Sequence, residues 1–233
     1  MPPEVRKPAL GRIKKRSIAN EAEERLIQAI ASGRLSRGAR IVETDIAEDL
    51  GVSRIPVREA LLHLGSLGIL RPAGNRGWQV SSFDDRQIAE TYQVRLALET
   101  MMLTVAQEKF LADRSKLARL DTIIGEMRTA AVGDDTREMN RLDLAFHRYA
   151  VSVSDNSLAI RMWEGLSQHV LIIFEMEIYR IPDPQAVVAQ HSRLRDVLAS
   201  GDGAELVITL RDHITGYRDL MLTRSASELK SRD

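Results

Sequence analysis

Glu43-Thr44-Asp45-Ile46-Ala47-Glu48-Asp49-Leu50-Gly51-Val52-Ser53-Arg54-Ile55-Pro56-Val57-Arg58-Glu59-Ala60-Leu61 reads as two short helices joined by a tight turn. Thr44 is placed to cap the first, whose apolar residues are Ile46, Ala47 and Leu50, and Gly51 supplies a left-handed stop. Ser53 is placed to cap the second, with Pro56 in the first turn, where a missing N–H costs nothing. Val57, Ala60, Leu61 and Leu64 make an apolar face, and Arg54 and Arg58 fall opposite it, one helical turn apart. Upstream, Ile18, Ala22, Leu26 and Ile30 recur at helical spacing before Gly33. Downstream of Gly68, residues 69–71 and 78–80 favour strands and bracket Pro72-Ala73-Gly74-Asn75-Arg76-Gly77, the composition of a hairpin tip. Three helices followed by a β-hairpin make a winged helix-turn-helix over residues 18–80.

The chain has 233 residues, 44% hydrophobic and 28% charged, which suits two domains each burying its own core. Cysteine is absent, so disulfides and thiolate metal sites are excluded, and a reducing cytoplasm is the expected compartment. No apolar run approaches the roughly 20 residues a membrane helix needs, and the basic N-terminus has no apolar segment behind it to make a secretory signal. The zero net charge hides an asymmetry. Residues 1–80 carry 14 Lys and Arg against 9 Asp and Glu, whereas the remainder carries 19 against 24. Within residues 1–17, Arg6, Lys7, Arg12, Lys14, Lys15 and Arg16 form a basic tail that is either an arm for a phosphate backbone or a solvated leader.

From Phe83 onward no strand is legible. Six amphipathic helices are expected near 84–110, 113–131, 136–152, 157–179, 184–199 and 204–225, making residues 81–233 an all-α bundle. Leu142, Asp143, Phe146, His147 and Ala150 share one helical face. Val187, His191, Leu194 and Leu198 share a second, and Leu206, Leu210, His213 and Tyr217 a third. A polar group aimed into a core costs a few kcal/mol unless it is bonded, so three helices each pointing an imidazole inward call for a shared partner. Asp143 and His147, at i and i+4, can chelate one ion or simply hydrogen-bond. Arg95 lies on the inward stripe Ile88, Tyr92, Arg95, Glu99, Leu103, where it either clamps a carboxylate or pairs with Glu99. His169 also faces the bundle, as a pocket or core residue.

The helix-turn-helix stretch and the wing ending Arg76-Gly77-Trp78-Gln79-Val80 resemble GntR-family regulators over residues 18–80. Residues 84–224, with Val94-Arg95-Leu96-Ala97-Leu98-Glu99 and the Gly201-Asp202 turn, resemble the FCD domains of the FadR subfamily, in its VanR-like branch. The resemblance implies a transcriptional repressor, not an enzyme, with a palindromic DNA operator as partner. It implies DNA contacts by Ser53, Arg54 and Arg58 from the reading helix and by Gly74, Asn75 and Arg76 from the wing. Thr44 stands where fatty-acid-responsive members carry arginine, a departure from the pattern, and is expected at phosphate. It further implies that Asp143, His147, His191 and His213 bind a metal. An N3O set without thiolate suits Zn²⁺, Ni²⁺, Fe²⁺ or Mn²⁺. A small organic-acid effector is expected beside that metal, held by Arg95 and His169, in a homodimer. No helix bearing His-Glu-x-x-His, nucleophile elbow or glycine-rich phosphate loop supports a hydrolase or lyase instead.

Overall fold

The structure, a computed structural model, describes residues 18–74, 77–175 and 183–230. The basic tail and the wing-tip residues Asn75 and Arg76 therefore lie outside the described residues. The first unit runs α1 (Ile18–Ala31), β1 (Arg40–Ile41), α2 (Glu43–Leu50), α3 (Arg54–Ser66), β2 (Leu70–Pro72) and β3 (Trp78–Val80). β3 is the middle of an antiparallel sheet of order β1-β3-β2, with Gln79 opposite both Arg40 and Arg71. The helix-turn-helix and wing are as expected. β1 was not, because two residues carry no periodicity of their own and gain strand structure only by pairing with β3.

Local chemistry accounts for each boundary. Gly51 closes α2 at φ 64, its N–H reaching the carbonyls of Ala47 and Glu48. Val57, Ala60, Leu61 and Leu64 are buried, as the pattern of α3 requires. Thr44 does not cap α2, as its sequence position had indicated. The chain enters the helix directly from β1, so extended Val42 takes the N-cap position, and Thr44 lies in the first turn, donating its hydroxyl to Asp45 at 3.0 Å. Gly65 allows the wing to close on α3: a Cβ there would meet the Trp78 ring at 2.3 Å. Gly65→Ala is therefore expected to push Trp78 off its seat, cost about 1–3 kcal/mol of the kind overpacked cores show, and lower the melting temperature. A melting curve unchanged from wild type would contradict this.

Among the described residues the second unit is helical: α4 (Asp85–Ala112), α5 (Leu117–Val132), α6 (Thr136–Ser152), α7 (Ser157–Glu175), α8 (Pro184–Ser200) and α9 (Gly203–Lys230). α4 opens with a full capping box. The Asp84 carboxylate accepts from the Gln87 N–H, and the Gln87 side chain accepts from the Asp84 N–H. α5 starts later than its pattern indicated because Asp113 caps a 3-10 turn, Arg114–Lys116, ahead of it. α8 begins with Pro184 behind the capping carboxylate of Asp183 and ends at left-handed Gly201. α4 is the axle of the bundle, packing against α6, α7, α8 and α9.

The two units meet along α7. α1 packs against it, and Leu67, in the turn after α3, approaches Gly165 so closely that a Cβ there would lie 3.2 Å from its side chain. Phe83, in the link between the units, is buried and held at φ 47, a left-handed conformation that a phenylalanine rarely takes.

Candidate functional site

On the exposed face of α3, Arg54 and Arg58 project from its first turns, with side chains 59% and 58% exposed. Both are held by one carboxylate. Arg58 donates from Nε to Glu43 Oε2 at 2.8 Å and from Nη2 to Oε1 at 2.9 Å, and Arg54 donates from Nε to Oε1 at 2.9 Å. These hydrogen bonds and the two positive charges lower the Glu43 pKa, against a smaller opposing effect of burial. Glu43 begins α2 and meets both arginines at the start of α3, although it lies 11 and 15 residues from them in sequence. Ser53 does occupy the N-cap position of α3, yet its hydroxyl makes no capping bond, leaving it available to a phosphate. Gly74 lies at the wing turn with φ 60.

At the centre of the bundle, α6 supplies Asp143 and His147, α8 supplies His191 and α9 supplies His213. All four are buried, and one donor atom from each lies within 4.8 Å of the others. Partners on the far side orient two of the three imidazoles. His191 Nδ1 donates to the Val187 carbonyl at 2.9 Å, which leaves Nε2 a lone pair, and that atom sits 3.1 Å from Asp143 Oδ1 with no hydrogen-bond partner. His147 Nδ1 donates to Glu99 Oε2 at 2.6 Å, so its Nε2 is also a lone pair, and it lies 2.9 Å from His213 Nε2. Burial pushes the His147 and His213 pKa values down, and the neighbouring imidazoles push that of His213 further. Burial would raise the Asp143 carboxyl, but His191, His147 and Arg95 outweigh it and hold it well below the usual range. Neutral imidazoles and an ionised carboxylate are the protonation states a metal ligand set requires. Lone pairs converging at these distances repel unless a proton or a cation lies between them, so the residues fit a divalent ion.

Residues 18–80 match the family described as bacterial regulatory proteins, gntR family, and residues 90–216 match the FCD domain. The chain belongs to the GntR family, with an FCD domain as its second half. This GntR-family chain is 29% identical over 206 residues to the probable D-xylose utilization operon transcriptional repressor of Paenarthrobacter nicotinovorans, spanning 88% of this chain and 89% of that one. It is 30% identical over 159 residues to the regulator McbR of Escherichia coli K12, spanning 68% of this chain and 71% of that one. The solved structure of E. coli McbR/YncC shares the fold at a TM-score of 0.76 and 22% identity, covering 91% of this chain and all of that one. A GntR regulator from Rhodococcus sp. RHA1 does so at 0.70 and 21%, covering 89% and 98%. Families and relatives alike are transcriptional regulators, and this chain is one, not an enzyme.

Within this GntR-family fold, Arg95 joins the cluster from α4. It is 2% exposed and donates from Nε to Glu99 Oε1 at 2.8 Å. Its Nη2 lies 3.5 Å from Asp143, with no hydrogen-bond partner. Both roles open to it in the sequence are thus physically available at once. His169 is not part of the cluster. Its ring packs 6.0 Å from Phe83, near the backbones of Gly165 and Leu67, because its place on α7 faces the junction between the units. An effector contact at the metal is withdrawn for it. The sequence named Glu99 only as a partner for Arg95, and its wider contacts escaped it. Glu99 is fully buried and collects Arg95, His147 and the Trp163 indole, which donates at 2.9 Å. Its only signal was its place on the inward stripe of α4. Among the described residues, no helix is long and apolar enough to cross a membrane.

Proposed function

We propose that this chain is an operator-binding repressor of the cytoplasm whose DNA affinity is set by a small organic acid bound beside a divalent transition metal. In this reading residues 1–17 are a basic arm, 18–80 the DNA-reading domain and 81–233 the sensing domain. Asp143, His147, His191 and His213 hold the metal, Zn²⁺ being the simplest choice for an N3O set, with Ni²⁺, Fe²⁺ or Mn²⁺ as alternatives. When bound, the ion supplies a Lewis-acidic centre for a carboxylate. Arg95 supplies the complementary clamp, its unpartnered Nη2 being the observation that carries the organic-acid reading. Ser53, Arg54 and Arg58 read the major groove, Thr44 lies beside phosphate, and Gly74, Asn75 and Arg76 bring the wing to the backbone.

A homodimer supplies the two reading heads that a palindrome demands. The apolar side chains of Val94, Met101 and Val105 on α4 and of Leu158 and Met162 on α7 are 44–62% exposed. α4 and α7 are packed neighbours that run antiparallel, as the pairs Glu99–Trp163 and Phe83–His169 require, and each carries these residues on one face of its own helix. A second copy related by a two-fold axis would cover both stripes. Selection from random-sequence DNA should yield an inverted repeat, organic acids should shift its binding curve, and light scattering should report a dimer that Met101→Glu with Met162→Glu converts to a monomer. A wild-type monomer at micromolar concentration, or a selected site without two-fold symmetry, overturns the reading.

A further inference from the structure

We propose that Glu43 is a positioning residue for DNA recognition: it pre-aims the Arg54 and Arg58 guanidinium groups at bases and suppresses binding to the wrong sequence. The inference rests on the reading that α3 enters the major groove. A guanidinium has a side edge, made of Nε and one Nη, and an end edge made of the two Nη groups. Glu43 takes the side edge of Arg58 through Nε and Nη2, and the Nε of Arg54. The end edge of each arginine is left facing outward, and two parallel N–H groups there match the O6 and N7 acceptors of guanine. Free arginine side chains sample many rotamers, and fixing them on DNA costs entropy that Glu43 has already removed. The carboxylate also cuts the local charge from +2 to +1, which weakens attraction to any phosphate backbone.

The two effects have opposite signs on the two kinds of DNA, which gives the test a signature that loss of stability alone cannot imitate. The protein is assayed as the full chain on an operator selected by wild type, on the same operator with one guanine replaced, and on scrambled DNA. For Glu43→Gln, discrimination against the replaced guanine is expected to fall about tenfold, the equivalent of ~1.4 kcal/mol. Affinity for scrambled DNA should rise and its salt slope should steepen by about one counterion. Glu43→Asp keeps the charge but is too short to reach both arginines, so it should lose discrimination without gaining scrambled-DNA affinity. Full discrimination by both variants, with normal melting curves, overturns the inference while leaving the reading helix intact. Arg54→Ala and Arg58→Ala, run alongside, report on the reading itself: if they too discriminate normally, the assignment of α3 fails and not only that of Glu43.

Discussion

Exchanging His191 and His213 together for alanine is expected to abolish metal retention, lower the melting temperature and leave a protein that binds operator without responding to effector. The variant deletes two of four donors and leaves Asp143 and His147, an i,i+4 pair whose affinity alone is weak. An ion bound at a thousand times its dissociation constant stabilises the fold by about 4 kcal/mol, so its loss should dominate the melting curve. Uncoupling follows from how the cluster is braced. His147 is tied to Glu99 and Glu99 to Trp163 on α7, the helix that carries Gly165 against Leu67 of the DNA-reading unit. A ligand that favours one arrangement of α4, α6, α8 and α9 can shift α7, and DNA must then alter effector affinity by the same factor. Elemental analysis, thermal melting and DNA-shift titration check the three outcomes, with chelation of wild type separating loss of metal from loss of packing. A double variant that keeps its effector response would place sensing elsewhere.

Arg54→Ala and Arg58→Ala are the second large effect. Each should cost about 1–3 kcal/mol of operator preference, the range found for one bidentate base contact, and together they should leave a protein that binds all DNA alike. Lys14→Ala or Lys15→Ala should instead weaken operator and scrambled DNA equally and flatten the salt dependence. Binding isotherms on both DNAs at several salt concentrations check this, and retained discrimination in the paired arginine variant would remove α3 from the reading role.

Much of this was legible because the deciding signals are local. The Gly51 stop, the Ser53 start and the buried stripe of α3 follow from residues within two turns of one another. The helices of the second half were recoverable from period and punctuation, and Asp143, His147, His191 and His213 from three inward faces. What escaped depended on neighbours remote in sequence. Glu43 is 11 and 15 residues from the arginines it holds, and Glu99 is 48 from His147 and 64 from Trp163. β1 exists only as a partner of β3, and Thr44 lost its capping role because that strand delivers the chain to α2 two residues early. His169 shows the limit of a helical-face argument. Its inward direction was right, but α7 borders the other unit at that height, and periodicity does not say which neighbour a face will meet.

The approach of Leu67 to Gly165 bears on how such regulators can be recombined. A chimera that joins this reading head to another sensing domain brings Leu67 with it, and the recipient seats it without adjustment only if it presents glycine at the matching turn of α7. An alanine there would meet Leu67 at 3.2 Å, so the leucine must shift by a few tenths of an ångström or the head must tilt on its seat. In the proposed dimer two heads set the operator spacing at once, and any such tilt would be doubled by the two-fold symmetry. Grafts that exchange Leu67 and Gly165 as a pair should therefore keep their operator, and grafts that split them should prefer a repeat of altered spacing.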